Sequence, residues 1–239
     1  MASSYQRSVE LVNTLLKLST PCKVVTVTAA SQARPARGRR AARPSGDDRE
    51  LAILETAERL LEDRSLAEIS VDDLARGAGI SRPTFYFYFP SKDAVLLTLL
   101  ERVIAEADTA LEELIANRPA DRRAIWRRGI DVFVRTFGAH RAVCAATVSV
   151  KNTNSAAREV WSRSMQRWID HIAAVIEAER ADGHAPVTVP AIELSTALNL
   201  MNESVMTAAF AGHEPAIPDH RVLDNLVHIW TTSIYGDCR

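Results

Sequence analysis

The chain has 239 residues, 47% hydrophobic and 25% charged with a formal net charge of -1, which is enough apolar material for one large domain or two small ones. Its three cysteines, Cys22, Cys144 and Cys238, are widely separated and form no Cys-x-x-Cys pair, so neither a disulfide framework nor a structural zinc site is indicated, and the expected metals and cofactors are none. No run of about 18 apolar residues offers a membrane span and the first thirty residues lack the apolar stretch of a secretory signal, so a cytoplasmic protein without a membrane partner is expected.

The charge is unevenly distributed: residues 1–49 carry nine Lys/Arg against three Asp/Glu, and the remainder carries twenty against twenty-seven. Arg34, Arg37, Arg39, Arg40 and Arg43 fall within ten positions among Ala, Pro and Gly, a composition that cannot bury enough surface to fold alone. Residues 1–46 are therefore expected to form a disordered basic arm. A solvated tail and an arm that condenses on phosphates are both open. Within it, the possible short helix "SVELVNTLLKLS" is followed at once by Pro21 and the β-branched "KVVTVT". Residues 1–24 thus break the helical plan of the rest and are expected to be disordered or absent from the natural protein.

From Asp47 onward the pattern is helical. Ile53, Leu54, Ala57, Leu60 and Leu61 make one apolar face at spacings of three and four. Ser70 is placed to cap a short helix "VDDLARGA", with Asp72 and Asp73 in the first turn where the helix dipole favours negative charge. Gly79 breaks it and Ser81 caps the next. Pro83 falls in that helix's first turn, where its missing N–H had no intrahelical partner to lose. Pro90 ends the helix, Ser91 recaps, and "KDAVLLTLLERVIAEADTALEELIA" continues as a long amphipathic helix. Further helices are predicted over about 121–138, 139–150, 155–182, 190–211 and 219–235. The expected fold class is all-α with about nine helices.

The third of these helices holds an unbroken aromatic run, Phe85, Tyr86, Phe87, Tyr88 and Phe89. Two short helices joined through "GAGIS" reproduce a helix-turn-helix, whose second helix enters the major groove of DNA. Phe85 and Phe89, four apart, share a face and are expected to plug the core beneath it. Tyr86 and Tyr88 point elsewhere, with hydroxyls available for phosphates. Arg82 and Thr84 stand at the exposed N-terminal end within reach of base edges, and Lys92 opens the next helix as a further phosphate contact.

The stretch "ISVDDLARGAGISRPTFYFYFPSKDAVLLTLL" resembles the DNA-binding domain of TetR-family transcriptional repressors, in the Gly-turn, the Thr-aromatic-Tyr sequence and the "YF.SK" ending. The likeness continues through "RRAARPSGDDRELAI", "GIDVFVRTFG", "ALNLMNE" and "LVHIW.TSIYG", over roughly residues 31–239. The resemblance implies a helix-turn-helix three-helix domain over residues 47–92 and a helical ligand-binding and dimerisation domain over residues 93–239. It implies a homodimer that binds operator DNA and lets go when a small molecule occupies its C-terminal domain; an enzyme is not expected, since no His-Glu-x-x-His or phosphate-binding glycine loop occurs and the six histidines are scattered. It assigns Tyr86, Tyr88 and Lys92 to phosphates and Arg82, Pro83 and Thr84 to the groove. A sequence-neutral architectural DNA binder is the alternative, since the arginines of the arm (Arg37, Arg39, Arg40 and Arg43 among them) and phosphate-contacting tyrosines would serve it equally well.

In the second domain Trp126, Ile130, Phe133 and Phe137 follow one helical stripe, and Trp161, Met165, Trp168 and Ile172 follow another. Such stripes are more often core than pocket. Asn199, Asn202 and Glu203, however, share a face inside the otherwise apolar "ALNLMNESVMTAAF", and buried amides without partners cost on the order of 1 to 3 kcal/mol each. An apolar cavity with a few placed polar groups is the usual make-up of a small-molecule site. The family resemblance implies the same residues by position, with Gly129 leaving room beside Trp126 and Trp230 closing the far end. The effector is then expected to be apolar, with a carbonyl or amide for Asn199 or Asn202. Leu194, Leu198, Val205, Leu223, Leu226 and Ile234 make a further apolar face on the last two helices, which the family implies is the dimer interface.

Overall fold

The computed structural model describes residues 45–236 apart from 118 and 213, so the arm with Arg37, Arg39, Arg40 and Arg43 lies outside the described residues. Nine helices are present among the described residues: α1 (Gly46–Leu61), α2 (Val71–Gly77), α3 (Arg82–Tyr88), α4 (Lys92–Ala116), α5 (Arg122–Ala139), α6 (Arg141–Val150), α7 (Ser155–Ala181), α8 (Ala191–Ala211) and α9 (Asp219–Tyr235). None of them is long and apolar enough to cross a membrane.

The boundaries follow from local chemistry. Ser70 and Asp73 form a reciprocal capping box, the Ser70 hydroxyl accepting from the Asp73 N–H and the Asp73 carboxylate from the Ser70 N–H. Ser81, Ser91, Asp121 and Asn154 cap α3, α4, α5 and α7 through their side chains. Gly79, at φ +68°, makes the turn between α2 and α3 in the left-handed region that a Cβ disfavours. At Gly77 the reason is contact: a Cβ there would lie 2.3 Å from Cγ2 of the buried Thr56, so α2 crosses α1 at a distance only glycine allows.

Ile53, Leu54, Ala57 and Leu61 of α1 close over Leu74, Phe85 and Phe89, with Val95, Leu96 and Leu99 of α4 beneath. Phe85 is completely buried. The long α4 leaves this three-helix head and packs against α5 and α6; α7 lies on α8, and α9 on α5 and α8. One expectation is corrected here. Leu198, Leu226 and Ile234 are buried within their own chain, so they are core and not a partner face. Exposed instead on the same two helices are Ile192, Leu200 and Ile229.

Candidate functional site

Because the core fixes Phe85 and Phe89 inward, the rest of α3 is presented outward: Arg82, Pro83, Tyr86 and Phe87 are exposed. Arg82 does not project freely. One guanidinium nitrogen donates to the Asp72 carboxylate at 2.9 Å, the other lies 3.4 Å from the Tyr86 hydroxyl, and the group sits over the Tyr86 ring. The half-buried Thr84 shares a 2.8 Å hydrogen bond with the Ser81 cap. Tyr88 is half-buried against the core. Lys92, expected at a phosphate, is engaged within the chain: its ammonium donates to the carbonyls of Leu66, Ala67 and Ile69 at 2.6, 3.0 and 2.8 Å. An ammonium has three donors, and all three are engaged. Phe87, at 83% exposure, is the residue the sequence reading passed over, although its place four after Pro83 puts it on the outward face.

In the second domain the expected ligand residues meet as a packed aromatic and polar network. Phe133 stacks on Phe137, and both meet Trp168 edge-on; Trp126 packs on Trp230 with ring centres 5.6 Å apart. Met165 is buried beside them, and a Cβ at Gly129 would find only Leu114, at 4.0 Å. The buried amides have partners: Asn199 donates to the Ser195 carbonyl at 2.9 Å, and Asn202 accepts from the Trp230 indole at 2.8 Å. Glu203 pairs with Lys151 at 2.5 Å. The Trp126 indole donates to the Tyr235 hydroxyl, which donates in turn to Glu179, a carboxylate 2% exposed that also holds Arg122. Burial, then the neighbouring Glu179, pushes the Tyr235 phenol up to about 12, so it stays a hydrogen-bond donor.

The open space lies further along. A largely apolar cavity open to solvent is walled by Leu100, Phe137, Trp161, Met206 and Phe210, with Arg141, Cys144, Thr147, Lys151, Glu203 and Thr207 as its polar side chains. Of the ten expected ligand residues only Phe137 and Glu203 line it. Trp126, Trp168 and Trp230 each have an N–H partner, in Tyr235, Asp108 and Asn202. The Trp161 N–H is buried with none. That indole belonged to the second aromatic stripe; its unmet donor shows only once α7 is packed on its neighbours.

Residues 53–99 match the family described as bacterial regulatory proteins, tetR family, and residues 126–236 match the C-terminal domain of the transcriptional regulator EthR. The chain is 64% identical to the HTH-type transcriptional regulator EthR of Mycobacterium tuberculosis over 217 residues, covering 90% of this chain and all of that one. The chain belongs to the TetR family of transcriptional regulators. EthR of Mycolicibacterium smegmatis is 54% identical over 210 residues, with 88% of this chain and 97% of that one covered. Among solved structures, a transcriptional regulator from Saccharomonospora viridis in complex with choline superposes with a TM-score of 0.65 at 27% identity, covering 77% of this chain and 95% of that one. A TetR-like regulator from Rhodococcus superposes at 0.60 with 25% identity, covering 84% and 100%. The chain is thus a DNA-binding regulator of the EthR type with a C-terminal ligand domain, and not an enzyme.

Proposed function

We propose that the chain acts as a homodimeric repressor that holds operator DNA with the outward face of α3 and lets go when a largely apolar small molecule fills the α4–α8 cavity. The observation that carries the effector reading is the largely apolar cavity itself, with Trp161 in its lining, a residue whose indole N–H is buried without an acceptor. A buried unmet donor costs on the order of 1 to 3 kcal/mol. A ligand with one carbonyl or ether oxygen near Trp161 recovers that cost, and its apolar remainder meets Leu100, Phe137, Met206 and Phe210. Ile192, Leu200 and Ile229, exposed on the packed pair α8 and α9, support a partner face there, since large apolar side chains left in solvent are what a partner would cover. Two recognition helices reach successive major-groove turns about 34 Å apart only when a dimer holds them.

Thr207→Trp tests the sensor by filling the space an effector would take. The full-length variant is expected to stay folded and dimeric, to bind operator DNA about tenfold or more weakly, and to lose its response to apolar ligands. A variant that is destabilised by about 1 to 3 kcal/mol through overpacking yet binds DNA normally would show the cavity to be a packing defect. Both properties are read on one sample, by thermal melting and by fluorescence anisotropy of labelled DNA.

A further inference from the structure

The outward face of α3 carries apolar groups as well as polar ones. Phe87 is 83% exposed, the most exposed aromatic residue among those described, and it lies four residues after the exposed Pro83. Together they form an apolar row beside the row of Arg82 and Tyr86. The direction of this row is fixed from behind, because Phe85 at 0% and Phe89 at 5% exposure anchor the opposite side of the helix. The ring itself is buttressed: the half-buried Tyr88 meets it edge-on with centres 5.3 Å apart. Meanwhile the polar groups that would otherwise read base edges are occupied, Arg82 by Asp72 and Tyr86, and the Thr84 hydroxyl by Ser81.

A phenyl ring neither donates nor accepts a conventional hydrogen bond, so it distinguishes base pairs only through apolar contact. The floor of the major groove offers one apolar group that differs between bases, the C5-methyl of thymine. We propose that Phe87, flanked by Pro83, reads thymine methyl groups in the operator and is a specificity-determining residue of this regulator. The inference rests on the reading that α3 is the groove-entering helix. It also accounts for the aromatic run as three functions on one short helix: Phe85 and Phe89 hold the core, Tyr88 supports, and Phe87 reads.

The test uses full-length protein and a DNA fragment that it retains from a random-sequence pool, synthesised once with thymine and once with deoxyuridine, which lacks only the methyl. Wild-type protein is expected to bind the uracil fragment roughly fourfold more weakly for each methyl contacted, the value of one buried methyl-sized group. Phe87→Ala should bind the thymine fragment more weakly and show a thymine-to-uracil ratio near one, while Phe87→Leu, which keeps an apolar contact, should keep an intermediate ratio. Melting of each variant checks that this exposed substitution leaves the fold intact. A ratio of one in the wild type, or an unaltered ratio in Phe87→Ala, overturns the assignment; equal loss on both fragments would place the ring against sugars or between base steps. If the wild type retains no fragment against excess random DNA, the groove reading of α3 itself fails, and that result differs from all the others.

Discussion

Lys92 shows how a single side chain changes meaning once its surroundings are known. At the start of a helix following a recognition helix, a lysine reads as a phosphate contact, and nothing local argues otherwise. Folding brings the loop between α1 and α2 to it across more than twenty residues, and the ammonium closes on the carbonyls of Leu66, Ala67 and Ile69. Those carbonyls end a turn and have few other donors, so the lysine ties the first turn of α4 to the segment that carries α2. Lys92→Met, which keeps the stem and removes the charge, is expected to cost roughly 1 to 3 kcal/mol, since three charge-assisted bonds are lost but the site is only half-buried. The salt dependence of DNA binding by the folded fraction should stay as in the wild type. A slope reduced by about one unit would instead place the ammonium on a phosphate, and denaturant melts with a salt titration read both.

At the scale of elements, close approach of α1 and α2 makes the firmest expectation. The Cβ introduced by Gly77→Ala would meet a branched, buried neighbour 2.3 Å away, and a β-branched side chain has little freedom to retreat. Despite alanine's better helix propensity, the variant should lose about 1 to 3 kcal/mol. Adding Thr56→Ala should recover part of that loss, an interaction that a double-mutant cycle of chemical denaturation would measure. Helix boundaries and inward faces were legible beforehand because they are local: Ser70, Ser81, Ser91 and Pro83 mark the helix starts, and Phe85 and Phe89 repeat at a helical period. The site was less legible because its partners are remote in sequence. Asn202 finds Trp230 across 28 positions and Arg122 finds Glu179 across 57, so amides that read as awaiting a ligand turn out to be held by the chain itself. On α8, which is apolar nearly all round, periodicity does not distinguish the side facing α7 from a side facing a partner; hence Leu198 read as interface while Leu200 is the exposed residue.

For the whole molecule, His140 occupies the place where the proposed effector cavity and the helix-turn-helix head meet. It stands at the junction of α5 and α6, with Nδ1 against the Glu58 carboxylate of α1 and Nε2 3.2 Å from Glu106 of α4, while Arg141 and Cys144 immediately after it line the cavity. Partial burial disfavours the imidazolium, but the hydrogen bond and charge of Glu58, followed by those of Glu106, outweigh it and raise the histidine above its ordinary value. Cys144 adds no charge to this group, since burial pushes its thiol up to about 12. The sign follows from the raised folded-state value: the clamp contributes in full below about pH 6.5, the unfolded histidine value, and is lost as pH rises through the higher folded value. Wild-type stability should therefore decline over that window relative to His140→Gln, whose profile lacks the step. If the same clamp transmits displacement of α6 to α1, the effector and DNA, which must weaken each other by one common factor, should do so less in His140→Gln and less in the wild type at high pH. Melting profiles from pH 6 to 9 measure the first effect, and DNA titrations with and without a saturating apolar ligand measure the second. Parallel pH profiles for the two proteins would mean that His140 carries no extra proton, and an equal coupling factor would move the transmission to another contact between α1 and α6.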